Sequence, residues 1–135
     1  MHALGIGVDI IKNARIKKSI ANKNFISRIF STTEINNSKK FSNKTSFFSK
    51  KFAAKEAFSK ALGTGFRKKL NFKDISVQNT KYGKPYIMIN DKIKNIIKKR
   101  FKTKKFNIFL SISDEKKYSI AFVVLEKIWN LIKII

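Results

Sequence analysis

The 135-residue chain has no cysteine, one histidine, one proline and five glycines. The lack of cysteine removes both a disulfide framework and a thiolate metal site, and the single histidine, His2, sits at a terminus where chains usually fray. Cysteine catalysis is excluded and histidine catalysis disfavoured. No apolar run approaches the roughly 20 residues that span a bilayer. The opening MHALGIGVDII also lacks the basic region and extended apolar core of a secretory signal. A cytoplasmic protein with no membrane association is expected.

Acids are scarce as well. Eight Asp plus Glu face 31 Lys plus Arg, for a formal net charge of +23. Such a surface draws anionic partners and speeds encounter at low salt, which fits nucleic acid, an acidic protein, a nucleotide cofactor or an anionic membrane. Much of the charge also follows from a composition rich in Lys, Asn, Ile and Phe with only four Arg, the profile of coding sequence drifting toward A and T. Charge alone does not choose the partner. With so few acids, each one in an apolar or motif setting needs a reason, and two qualify: Asp9 and Glu56.

The length suits one compact domain over residues 1–135, with 127–135 a hydrophobic C-terminal extension. ALGIGVDII (3–11) is short, apolar and β-branched, and predicts a buried strand with Asp9 near its end. A buried, charged and unpaired carboxylate there costs several kcal/mol. Asp9 is therefore either a site or metal carboxylate, or a cap on the following helix. Residues 12–29 interleave Ile16, Ile20, Phe25, Ile26 and Ile29 with Arg15, Lys17, Lys18, Lys23 and Arg28, an interrupted basic amphipathic helix. Ser31 with Glu34 forms a capping-box pattern, and 38–44 reads as a loop.

From Thr45 to Leu62 apolar residues recur at helical spacing, and Gly63 and Gly65 end the helix. Beyond it, 72–78 and 86–90 predict a hairpin turning at Tyr82 and Gly83, with Pro85 near a strand start. Asp91 is placed as the cap of a helix over 92–102. Strands at 106–113 and 118–126 form a second hairpin across DEKK (114–117). Strands and helices segregate, which gives an α+β fold with an antiparallel sheet packed by helices. The tail 127–135 is expected to pack on the chain or on another subunit; a membrane-surface helix is the lesser reading.

In FAAKEAFSKALGTG (52–65), Glu56 and Lys60 stand i,i+4 on one helical face, beside Ala53, Ala54, Ala57, Phe58, Ala61 and Leu62. An exposed ion pair is the ordinary reading of that spacing. Two carboxylates without histidine or cysteine instead favour a hard cation such as magnesium, completed by phosphate and water, and so point to phosphate-ester or diphosphate chemistry. No Walker-type loop is present, and GIG (5–7) is too short for a dinucleotide fingerprint. The thirteen Phe fall mostly on predicted apolar faces, which leaves a basic nucleic-acid-binding domain as a charge-based alternative.

These segments resemble the holo-acyl-carrier-protein synthases, the small bacterial branch of the 4'-phosphopantetheinyl transferases. GIGVDI (5–10) looks like the family's first strand, FAAKEAFSKALGTG its signature helix and turn, GKP (83–85) its hairpin, and LSIS with VVLE its last strands. The resemblance implies magnesium-dependent transfer of the phosphopantetheine arm of coenzyme A to a serine of apo acyl carrier protein, in support of fatty acid biosynthesis, by a homotrimer with sites between subunits. It implies Asp9 and Glu56 as magnesium ligands and, with Lys60, as catalytic groups. It leaves the general base open among Glu56, Asp9 acting through water, or another group. Lys51, Phe52, Lys60, Gly63, Thr64, Gly65, Lys84, Pro85, Ser111 and Ser113 would hold coenzyme A, and Arg15 and Arg28 would meet the acidic carrier. Two positions depart from the family pattern: Asp114 stands where histidine is common, and Lys51 where arginine is common.

Overall fold

The computed structural model describes residues 1–63 and 70–129. Strand β1 (Ala3–Lys12) leads into helices α1 (Asn13–Ser19), α2 (Lys23–Ile29) and α3 (Thr32–Ser38), and then the long helix α4 (Lys44–Leu62). Strands β2 (Ile75–Asn79) and β3 (Pro85–Ile89), helix α5 (Asp91–Phe101), and strands β4 (Phe106–Asp114) and β5 (Tyr118–Lys127) complete it. The fold is α+β. Its antiparallel sheet has the order β1-β5-β4, and β2-β3 forms a separate ribbon. No helix among the described residues is long and apolar enough to cross a membrane.

α4 lies against the sheet because residues of opposite kinds meet there. Ala53, Ala54, Ala57 and Ala61 are buried on the helix, and β1 offers glycine where they arrive. A Cβ on Gly5 would lie 2.0 Å from the carbonyl oxygen of Ala61, and one on Gly7 would lie 1.9 Å from that of Ala57. Only glycine permits this approach, and it brings the next inward-facing residue of β1, Asp9, beside the last turns of α4. Phe30, Phe48, Phe58, Leu62, Ile93 and Leu125 belong to the core around this contact.

The basic stretch 12–29 divides at residues 20–22 into α1 and α2, so Arg15 and Arg28 occupy different helices. The Ser31–Glu34 capping box forms as expected. Gly63 closes α4 at φ 77°, its N–H donating to the carbonyls of Ser59 and Lys60. Three expectations are corrected. Asp9 lies inside β1 and caps nothing; α1 begins after Lys12 without a side-chain cap. Residues Phe72–Asp74 form a 3₁₀ turn, not the start of a strand. Asn90, not Asp91, caps α5, its side chain accepting from the N–H of Ile93 at 3.1 Å. Of the tail, Lys127, Ile128 and Trp129 are described, Lys127 as the last residue of β5, and 130–135 are not.

Candidate active site

Asp9, Glu56 and Lys60 converge at the glycine-mediated contact between β1 and α4. The Lys60 ammonium donates to Asp9 Oδ1 and to the Val8 carbonyl, each at 3.0 Å. The helical i,i+4 spacing therefore does not resolve as a Glu56–Lys60 pair: Lys60 bridges to the strand, and Glu56 joins no ion pair among the described residues. Asp9 Oδ2 is buried without a hydrogen-bond partner, a costly state for a carboxylate oxygen. Burial raises the Glu56 pKa above the usual carboxylate range; the negative charge of Asp9 adds to the rise, while Lys60 and Arg15 oppose it. Together these groups offer two hard oxygen donors with unspent capacity, one cation, and an arginine close enough to be felt.

The opposite end of α4 borders a cleft of about 520 Å³. Phe47, Lys50 and Lys51 line it from α4, Val77, Asn79, Thr80, Lys81, Gly83 and Pro85 from the β2-β3 ribbon, and Ile112 and Asp114 from β4. Asp114 accepts a hydrogen bond from the Ser46 hydroxyl at 3.1 Å. Lys51 is 5% exposed; its ammonium donates to the Val77 carbonyl at 2.8 Å and lies over the Phe47 ring. Burial lowers its pKa to about 8, against the opposing pull of Glu34. Lys50 and Lys81 provide the more accessible positive charge of this cleft.

The structure distributes the remaining expected residues unevenly. Phe52 is 6% exposed and stacks on Phe72 with ring centroids 5.6 Å apart, so it is a core residue that does not line the cleft. Pro85 lines the cleft, whereas Lys84 is exposed and holds the turn through its backbone bonds with Thr80. Ser111 and Ser113 alternate with Ile112 and face away from the cleft, beside Phe122 and Ile120 of β5. Gly63 is in place; Thr64 and Gly65 lie outside the described residues. Arg15 and Arg28 are exposed, and Arg28 edges a shallow basic notch between α1 and α2 with Lys18 and Phe25.

Sequence reasoning missed Glu34 as a partner of α4. Its carboxylate meets Lys55 at 2.7 Å with both side chains fully buried, and burial lowers the Lys55 pKa while Glu34 opposes that. The capping box marked Glu34 for a local role only, and no local spacing links it to Lys55.

With that geometry in view, the family model described as "4'-phosphopantetheinyl transferase superfamily" matches residues 5–123, from the strand that carries Asp9 to the middle of β5. The chain belongs to the 4'-phosphopantetheinyl transferase superfamily. A holo-[acyl-carrier-protein] synthase of Pelagibacter ubique is 66% identical over 127 residues, covering 94% of this chain and 99% of that one. Another, of Ehrlichia chaffeensis, is 49% identical over 90% of this chain and 95% of its own length. Among solved structures, the holo-(acyl-carrier-protein) synthase of Bacillus anthracis in complex with CoA (3',5'-ADP) superposes with a TM-score of 0.79 at 38% identity, over 95% of this chain and 100% of that one. The α4–β1 carboxylates thus sit in a transferase of this superfamily.

Proposed function

We propose that the chain transfers the 4'-phosphopantetheine arm of coenzyme A to a serine of apo acyl carrier protein, releasing adenosine 3',5'-bisphosphate, in the cytoplasm and in support of fatty acid biosynthesis. The observation that carries this reading is the Asp9–Glu56–Lys60 cluster, held at a helix–strand contact that only glycine allows, within a chain 66% identical to a holo-[acyl-carrier-protein] synthase. The nucleic-acid alternative gains no support from this cluster.

The unpartnered Oδ2 of Asp9 and the half-buried Glu56 suit Mg²⁺, which takes one or two carboxylates and completes its shell with substrate phosphates and water. Asp9 and Glu56 would hold it. When bound, the ion offsets charge on the diphosphate and on the departing phosphate. Lys60, held by Asp9 and Val8, puts a second positive charge on the same side. The carrier's serine oxygen attacks the phosphorus next to the pantetheine arm, and the bond from that phosphorus to the bridging oxygen breaks. That oxygen leaves on the nucleotide. The serine proton passes to Glu56 or, through a water, to Asp9.

The cleft of Lys50, Lys81 and Pro85 is assigned to the nucleotide portion of coenzyme A. It lies toward the start of α4 and the carboxylates toward its end, a separation that fits the homotrimer the family resemblance implies, in which one protomer's cleft completes a neighbour's reaction centre. Supporting this, Ile6, Val8, Ile10, Phe109, Ile120 and Phe122 expose an apolar sheet face that carries Ser111 and Ser113 with it. Arg15 and Arg28 receive the acidic carrier.

Quantifying adenosine 3',5'-bisphosphate by chromatography tests the reading. The nucleotide should appear mole for mole with holo carrier, require apo carrier, and cease with a chelator until excess Mg²⁺ is added. Nucleotide release that ignores the carrier would contradict it.

A further inference from the structure

Among the described residues, β2 pairs with a strand on one side only, its partner being β3. In an antiparallel strand the N–H and C=O of one residue point the same way, and successive residues alternate. The other edge of β2 is met by side chains. The Val77 N–H donates to Glu34 Oε2 at 2.9 Å, the Val77 carbonyl accepts from Lys51 at 2.8 Å, and the Ile75 carbonyl accepts from Lys55. Glu34 also takes the Ser31 N–H, and Lys55 the Phe72 carbonyl. Three ionisable groups from α3 and α4 thus stand where a neighbouring strand would.

The ion pair alone does not account for this arrangement, because well-packed apolar residues often replace buried ion pairs at little or no loss. What the charges supply is position. Val77 is gripped at both its N–H and its carbonyl, it lines the cleft, and Asn79, two residues on, lines the same wall with its side-chain oxygen 3.5 Å from Lys51. We infer that Glu34, Lys51 and Lys55 are positioning residues, which fix the free edge of β2 and through it the wall of the nucleotide cleft. The inference rests on the assignment of that cleft to coenzyme A. Lys51 then acts through the β2 backbone, and Lys50 and Lys81 are the lysines that meet the ligand.

The test pairs hydrogen exchange of the ligand-free protein with steady-state kinetics in which coenzyme A and carrier are varied separately. Lys51→Met leaves the Glu34–Lys55 pair intact. It should speed exchange across Ile75–Asn79 by about tenfold or more and raise the coenzyme A KM by about tenfold, with kcat and carrier KM within about twofold. Lys51→Arg, which keeps the donors, should recover both readouts. Glu34→Met, Lys51→Met and Lys55→Met combined removes all three charges at once, so no lone buried charge opposes folding, and should show the same signature. Lys50→Met should raise the coenzyme A KM without changing exchange. A raised KM in Lys51→Met with unchanged exchange would make Lys51 a ligand contact and overturn the inference. Faster exchange with an unchanged coenzyme A KM would show that β2 is held by these side chains but does not wall a coenzyme A site, which overturns the cleft assignment instead.

Discussion

Glu56 titrates high because burial and Asp9 both disfavour its charged form, while Lys60 and Arg15 counteract them. Replacing Arg15 by Gln removes one counteracting charge, so in the metal-free protein the Glu56 carboxyl should titrate at higher pH by NMR; an unmoved titration would detach Arg15 from Glu56. Lys51 carries a pH signature of the opposite kind. Its folded pKa, about 8, lies below the ordinary lysine value of 10.5, so between the two the unfolded chain binds more protons. Stability should rise with pH across that window, by on the order of 3 kcal/mol for this group alone. Denaturant melts of the parent and Lys51→Met check this: the rise should shrink in the variant. Asp9 and Glu56 were legible in sequence because acids are so few and both sit in apolar, motif-bearing segments. Glu34–Lys55 was not legible, since two residues far apart in the chain meet only after α3 and α4 have packed.

At the level of elements, α4 and β1 explain each other. The helix was readable from its alanines, phenylalanines and closing Gly63, yet the reason for GIG in the strand appeared only as the carbonyls of Ala57 and Ala61 that fill the space of the missing Cβ atoms. Gly7→Ala should therefore force α4 off the sheet, with a loss of roughly 3 kcal/mol or more and of transfer activity together; a variant of parental stability in thermal melts would show that the contact yields. The weaker signals failed at boundaries. FKD shares the β-rich pattern that follows it but turns back on itself, the Phe72 carbonyl meeting Lys55. At α5, Asn90 and Asp91 are both acceptable caps, and the choice was decided by which side chain reaches the Ile93 N–H.

For the whole molecule, the +23 charge has two uses in this account: lysines beside the nucleotide cleft and arginines on α1 and α2 for an acidic carrier. Arg28→Glu should raise the carrier KM by about tenfold, with a smaller penalty at higher salt and little change in the coenzyme A KM; equal effects on both substrates would remove the docking assignment. The exposed apolar face of β1-β5-β4 should close as a trimer interface, so light scattering should give three times the chain mass, and Phe122→Glu should yield inactive monomers. The α+β architecture was readable from periodicity, but this face was not, because alternating strands look the same whether their outer side meets water or another subunit. Everything depends on the carboxylate pair. The most direct measurement is intact mass of apo acyl carrier protein after incubation with coenzyme A, Mg²⁺ and either the parent chain, Asp9→Asn or Glu56→Gln. A phosphopantetheine mass gain with the parent, slowed at least about a hundredfold in each folded variant, is expected. No gain with the parent, or near-parental rates in the variants, would contradict the account.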